Sequence, residues 1–294
     1  MKILFNKKFL LHNVDSYAEG AYRISDFSDQ KDIEADGEKY FSLVHDEKYI
    51  QAIKDACKHG DIVAEVELNP ASYEAACTAV GLSIMASEQN DFAVIRPPGH
   101  HAGKERAAGF CLFNNIAIAT QKLVNEGKKV FILDFDGHHG DGTQSIFYDS
   151  NKVLYCSMHQ LYAYPFTGTP EETGSGEGTG FTINYPLVAG SGDKEFFEAM
   201  DDAIVKARNF KPDVVGVSAG FDAYNKDKIL GLKYSLDTYF KCGLKLRRSF
   251  KNIFAVLEGG YHPDIRKCVD LFIEGVNKGA LPPKIKYDQN MSVG

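Results

Sequence analysis

The stretch VFILDFDGHHGD, residues 130–141, decides the fold. Val130–Leu133 is an unbroken apolar run, too short to stand as a helix. A strand that is apolar on both faces is buried on both, which points to a parallel sheet covered by helices on each side. At Asp134 the character changes. Aspartates follow at positions 134 and 136, then His138, His139 and Asp141 around two glycines. The expected strand, Val130–Phe135, therefore runs straight into a polar loop.

Outward from this stretch the pattern repeats. Strands are expected at Lys2–Phe5, Phe92–Arg96, Val153–Ser157, Phe181–Tyr185, Val214–Ala219 and Ile253–Leu257. Between them lie segments of 3.6-residue period. These are Ser72–Ser87 with Ser72 as N-cap, Asn115–Asn125 ending at Gly127, Asp193–Asn209, Leu236–Phe250 and Asp264–Asn277. Strand–helix alternation over the chain gives an α/β fold with a mainly parallel central sheet flanked by helices. No repeat or low-complexity linker divides it, so one domain over residues 1–294 is expected, with 280–294 as a surface tail.

The residues able to do chemistry sit where expected strands end. RPPGHH (96–101), DFDGHHGD (134–141), SMH (157–159), GFD (220–222) and EGGY (258–261) are five such loops. Ligands of open parallel sheets bind outside the carboxyl ends of the strands. Chance is a poor account of five loops on one edge. The Gly-rich GSGEGTG (174–180) is different. An alternating strand follows it, not a helix N-terminus, so it makes no phosphate cradle.

At a strand end, residues two apart point to the same side. Asp136 and His138 can thus share a metal, with Asp222 as a third ligand from a distant strand. Three protein ligands and one open position describe a catalytic zinc site. Any one of these residues alone would be read as a loop cap, a turn residue or a packed histidine; the cluster weighs against that. His100 and His101 fit a general base and acid, whereas in isolation a solvated pair on a loop is as good a reading. Asp134 and Asp141 are spare carboxylates able to orient such histidines. Tyr261, after two glycines, can donate to a developing oxyanion. Taken alone, it would be a turn residue packed on the core.

Composition narrows the partners. The net charge of −7 argues against general nucleic-acid binding, which wants a basic face. No apolar run approaches the ~20 residues that span a bilayer, so no membrane partner is expected. The opening MKILFNKKFLLHNV is broken by Asn6, Lys7 and Lys8 and is a poor signal peptide, which makes a cytoplasmic location the expectation. Six scattered cysteines without a framework read as buried reduced thiols.

RPPGHHA, GFCLFNNIAIA, DFDGHHGDGTQ, SAGFDA and LEGGY, in this order, resemble the successive motifs of histone deacetylases and acetylpolyamine amidohydrolases. The matching segments run from about Val44 to Val276. The resemblance implies the arginase/deacetylase α/β fold and a zinc amidohydrolase. Its zinc ligands fall on Asp136, His138 and Asp222, and its histidines on His100 and His101, partnered by Asp134 and Asp141 respectively. Its transition-state tyrosine falls on Tyr261. The acyl tunnel it implies has walls at Gly109–Phe110, Tyr164, Phe166 and Gly260. It also implies structural potassium at Asp134, Asp136, His138, Ser157 and Met158, and at Phe147, Ser150, Val153 and Phe181. An Asp2His set would accept Fe(II) as well as zinc.

The chain departs from the family pattern at its N-terminal loop, where Asn13–Ile24 replaces a His-Pro-Glu-Arg-Pro stretch. Arg23 is a stand-in for an arginine near the acetate exit. Glu65 and Glu67 are candidates for a substrate-gripping carboxylate. Ile229 and Leu230 fall where a polyamine-selective relative has an acidic gatekeeper. The expected substrate is an acetyl-lysine peptide or small acetylated amine, with an acetylated polyamine as the alternative. A dimanganese ureohydrolase lacks support, because a second set of metal carboxylates is missing. The sequence leaves open whether the protein is a homo-oligomer.

Overall fold

The computed structural model describes residues 1–12 and 18–279. The expected tail 280–294 and the beginning of the altered loop, residues 13–17, lie outside the described residues.

Seven strands form one parallel sheet: β1 (Ile3–Leu4), β4 (Phe92–Ala93), β5 (Val130–Asp134), β6 (Val153–Gln160), β7 (Thr182–Leu187), β8 (Val214–Ala219) and β9 (Ile253–Leu257). Their spatial order is β1-β4-β9-β8-β5-β6-β7, with every pairing parallel. A separate antiparallel hairpin joins β2 (Ile62–Val63) to β3 (Val66–Glu67). Every residue of β5, β8 and β9 is buried. This is what continuous apolar runs require when helices cover both faces.

Among the described residues, seven α-helices surround the sheet: α1 (Glu47–His59), α2 (Pro70–Gln89), α3 (Asn115–Asn125), α4 (Asp141–Phe147), α5 (Asp193–Phe210), α6 (Leu236–Ser249) and α7 (Ile265–Lys278). Along α7, Ile265, Cys268, Val269, Phe272 and Val276 are buried, at the 3-4 spacing of a single apolar stripe. Three expectations need correction. The N-cap of α2 is Asn69, and Ser72 is the third helical residue, completing a reciprocal capping box. The ladder of β4 covers only Phe92–Ala93, and the chain runs on through buried Val94 and Ile95 to Arg96 without further strand pairing. Helices α1 and α4 were not among the expected elements, although Ile53, Ala56 and Cys57 make a buried stripe on α1 and Gly60 closes it with φ +78°. The run 174–180 passes through a 3₁₀ turn, Gly176–Gly178, into β7, with no helix behind it. All six cysteines are free and buried.

Register aligns the loops that matter. Asp134, the last residue of β5, sits opposite Ser157 of β6 and Ser218 of β8. Ala219 of β8 sits opposite Leu257 of β9. The loops after β5, β8 and β9 therefore leave the sheet side by side. The chain crosses from β7 back to β8, between β5 and β9, which creates the crevice where α/β sheets bind ligands.

Candidate active site

Asp136 and His138 leave β5, and Asp222 leaves β8. Their carboxylate oxygens and imidazole nitrogen all lie within 4.8 Å of one another. His138 Nδ1 is 2.6 Å from Asp222 Oδ2 and 3.3 Å from Asp136 Oδ1. Backbone N–H groups hold the outer oxygens: Gly259 N donates to Asp136 Oδ2 and Gly137 N to Asp222 Oδ1, each at 2.7 Å. Glycine is needed for the first approach. A Cβ on Gly220 would stand 1.9 Å from Asp136 Oδ2, and one on Gly259 2.6 Å from it.

The electrostatics suit a cation. Burial pushes the Asp222 carboxyl up, and the charge of Asp136 adds to this. Burial opposes ionisation of Asp136 too, yet His100 and His138 hold it well below the usual carboxylate range. Against burial, Asp222 and Asp136 raise His138 to about 10. Two buried carboxylates thus draw a positive charge to the point between them. Two hard oxygens and an imidazole nitrogen suit zinc or ferrous iron.

His100 and His101 lie beside this cluster with ring centroids 4.0 Å apart and planes tilted by 46°. His100 Nδ1 lies 3.2 Å from Asp134 Oδ2, and His101 Nδ1 lies 2.8 Å from Asp141 Oδ1. Asp134 also receives the Tyr155 hydroxyl at 3.0 Å and the Asp136 N–H at 3.2 Å. The two imidazoles part in basicity. Burial works against a charge on His100, but Asp136 and Asp134 raise it well above its ordinary value. Burial lowers His101 to about 3, helped by the positive charge of His100. With Nδ1 given to Asp141, His101 keeps its Nε2 lone pair for a proton.

Tyr261 follows β9. Its N–H donates to Asp227 Oδ2 at 2.7 Å, and its ring centroid is 6.2 Å from that of Phe110. Burial pushes its phenol well above the ordinary range, so it stays a hydrogen-bond donor. Tyr164 packs edge-on against His101, with centroids 5.1 Å apart. A Cβ on Gly109, where φ is +52°, would meet His101 Cδ2 at 2.4 Å. Gly109 and Tyr164 thus wall His101, and Phe110, next to Gly109, faces Tyr261, whereas Gly260 lies against Phe221. Phe166 is 77% exposed. The β2–β3 hairpin joins the wall through Phe110 N to Ala64 O at 3.1 Å, with Glu65 and Glu67 exposed on it. Leu230 reaches over Gly137, beside Asp222, whereas Ile229 is exposed.

Of the residues expected around potassium, Asp134 and Ser157 face each other in the ladder, and Ser157 Oγ is 2.8 Å from His159 Nδ1. In the second set, the Phe147 carbonyl accepts the Ser150 N–H at 3.0 Å and the Phe181 carbonyl accepts the Tyr155 N–H at 2.9 Å.

Sequence reasoning gives Glu258 no role of its own and misses Glu19, while it places Arg23 near the acetate exit. Glu258 Oε2 accepts the Gly99 and His100 N–H groups at 2.7 and 3.1 Å, which ties the histidine loop to β9. Burial raises its carboxyl to about 7. Arg23 donates to Gly260 O at 2.6 Å and to Glu258 O at 2.5 Å, with its guanidinium 4.9 Å from the Tyr261 ring centroid. Glu19 Oε1 bridges Arg23 and Arg96 at 2.9 and 2.7 Å. Glu258 was legible as the first charged residue after an apolar strand. The Glu19 bridge had no local signal.

A parallel α/β sheet whose carboxyl edge carries an Asp–His–Asp cluster and two carboxylate-backed histidines defines the class: an α/β protein with a candidate mononuclear metal site. The histone deacetylase domain model matches residues 13–276, and the chain belongs to the histone deacetylase family. It is 39% identical over 236 residues to a probable deacetylase of Archaeoglobus fulgidus, covering 74% of this chain and 65% of that one. It is 38% identical over 224 residues to the acetylpolyamine amidohydrolase of Mycoplana ramosa, covering 72% and 66%. The chain thus spans about two thirds of the length of these curated relatives. The crystal structure of the HDA15 HD domain superposes with a TM-score of 0.86 at 30% identity, covering 93% of this chain and 90% of that one. Among the described residues, no helix is long and apolar enough to cross a membrane.

Proposed function

We propose that this chain is a zinc-dependent deacetylase that cleaves the amide of an acetylated amine, acetyl-lysine first among its substrates, as one catalytic unit in the cytoplasm. The observation that carries the reading is the convergence of Asp136, His138 and Asp222 within 4.8 Å, next to a neutral histidine backed by Asp141. Asp136, His138 and Asp222 would hold the ion, which supplies Lewis acidity towards the acyl carbonyl and makes water more acidic.

The chain's own residues do the rest. His101 Nε2 takes the proton of the attacking water and then delivers it to the departing amine. His100, held cationic by Asp134 and Asp136, stabilises negative charge gathering nearby. The Tyr261 hydroxyl donates to the acyl oxygen as it becomes an oxyanion. Phe110 and Tyr164 enclose the alkyl stem of the amine and keep water out. Water and amide give acetate and free amine. Potassium at Asp134, Asp136, His138, Ser157 and Met158, and at Phe147, Ser150, Val153 and Phe181, belongs to the same reading.

A second reading, an acetylpolyamine amidohydrolase, has the Mycoplana relative in its favour. Leu230 weighs against it, since it sets an apolar group beside the metal loop, where a polycation would want a carboxylate. The test is acetate release from acetyl-lysine peptides, acetylputrescine and acetylspermidine, with and without a chelator. Metal analysis should find one catalytic divalent ion per chain. Full activity in the metal-stripped protein would refute the proposal.

A further inference from the structure

We propose that Arg106 is a positioning residue for His101, acting through Asp141. The inference rests on the deacetylase reading, in which His101 Nε2 moves the proton. Both oxygens of Asp141 are engaged. Oδ1 lies 2.8 Å from His101 Nδ1, and Oδ2 accepts from Arg106 Nη2. Among the described residues, these two are the only side chains that hydrogen-bond this carboxylate. Asp134 differs: it is held inside the protein by the Tyr155 hydroxyl and the Asp136 N–H. One histidine is thus backed by a carboxylate clamped in the core. The other is backed by a carboxylate clamped from solvent, since the side chain of Arg106 is 55% exposed and that of Asp141 11%.

Arg106 Nη2 on Oδ2 and His101 Nδ1 on Oδ1 hold the two oxygens from opposite partners, and together they restrain rotation of the carboxylate. The imidazole follows the carboxylate through its Nδ1–H, and the aim of Nε2 follows the imidazole. Arg106 is itself placed by a turn in which Gly103 N donates to Arg106 O at 2.9 Å. The next turn, closed by Ala108 and Cys111, carries Gly109 and Phe110. One loop therefore supplies both the wall packed against His101 and the cation behind its carboxylate. An exposed ion pair adds little to stability. Its effect should appear in turnover and not in folding.

The experiment compares wild type, Arg106→Ala, Arg106→Lys and Asp141→Ala as zinc-loaded full chains on an acetyl-lysine peptide. Arg106→Ala should lower kcat about tenfold, the low end for outer-shell partners, with KM within about twofold and the thermal midpoint unchanged. Guanidinium ion at sub-denaturing concentration should restore part of that kcat, because the vacated site opens to solvent. It should not restore Asp141→Ala, which lacks the acceptor. Arg106→Lys, with the charge but not the fork, should fall between. An Arg106→Ala enzyme with wild-type kcat overturns the inference alone. So does a loss that guanidinium leaves unchanged and that tracks a lowered thermal midpoint. A wild-type enzyme that releases no acetate overturns the deacetylase reading, and the inference with it.

Discussion

Replacing Gly259 or Gly220 by alanine tests whether backbone crowding holds Asp136 in the candidate metal site. A Cβ on Gly259 would stand 2.6 Å from Asp136 Oδ2, against 3.4 Å for ordinary contact, a shortfall of about 0.8 Å. On Gly220 the distance is 1.9 Å, a shortfall of about 1.5 Å. Neither glycine has a positive φ, so alanine adds contact without backbone strain. Metal ligands tolerate displacements of about 0.2 Å. A carboxylate pushed several times that far should behave like one that has lost its outer-shell support, at a cost of about 10–100-fold in metal affinity. That is about 1.4–2.7 kcal/mol. Gly259→Ala should fall in this range, and Gly220→Ala at its upper end or beyond. The assay is zinc titration against a chromogenic chelator, with acetate release measured at rising zinc. Excess zinc should recover more activity in Gly259→Ala than in Gly220→Ala. Wild-type affinity in both variants would refute the claim that these glycines set the position of Asp136.

Tyr261→Phe should lower turnover by about 10²–10³ with metal content near wild type; undiminished turnover would remove the phenol from the reaction. Asp222→Ala should purify with little metal, and a variant that retains a full ion would mean that another group is the third ligand. His45 accepts the Asn114 N–H at Nε2 (3.0 Å) and bonds the Lys104 carbonyl through Nδ1 (3.1 Å), so the fold requires its neutral form. Burial lowers it to about 4. Between its unfolded value near 6.5 and about 4, the unfolded chain binds the extra proton, so stability present above pH ~6.5 is lost as pH falls through this window, by about 3 kcal/mol. Denaturant midpoints from pH 7.5 to 5 should show this slope, and His45→Gln should flatten it; an equal slope in the variant would sink the assignment.

Much of the site was legible because its chemistry is local. Asp136 and His138 share one loop, the histidine pair occupies adjacent positions, and each group follows an apolar strand. Apolar runs set between segments of 3.6-residue period likewise exposed all seven sheet strands, five of them to within two residues at each end, with β4 three residues shorter and β6 three longer than expected. Errors came where a boundary depends on one hydrogen bond. Asn69 caps α2 where Ser72 was expected, because both are good caps and only the geometry shows which side chain accepts from which N–H. Helix α1 carried a readable stripe in Ile53, Ala56 and Cys57, and Gly60 marked its end, but no adjacent motif drew attention to it.

By itself the sequence determined the fold class, the edge of the sheet that carries the chemistry, and the ligand types, because periodicity and residue chemistry are properties of neighbours along the chain. Only the tertiary structure decided the strand order β1-β4-β9-β8-β5-β6-β7 and with it the meeting of Asp222 with His138. It alone joined Glu19 to Arg96, Glu258 to the histidine loop, and Arg106 to Asp141. Each of these contacts links segments distant in sequence. Their partners are chosen by packing and by the need to satisfy buried polar groups, which no local pattern encodes.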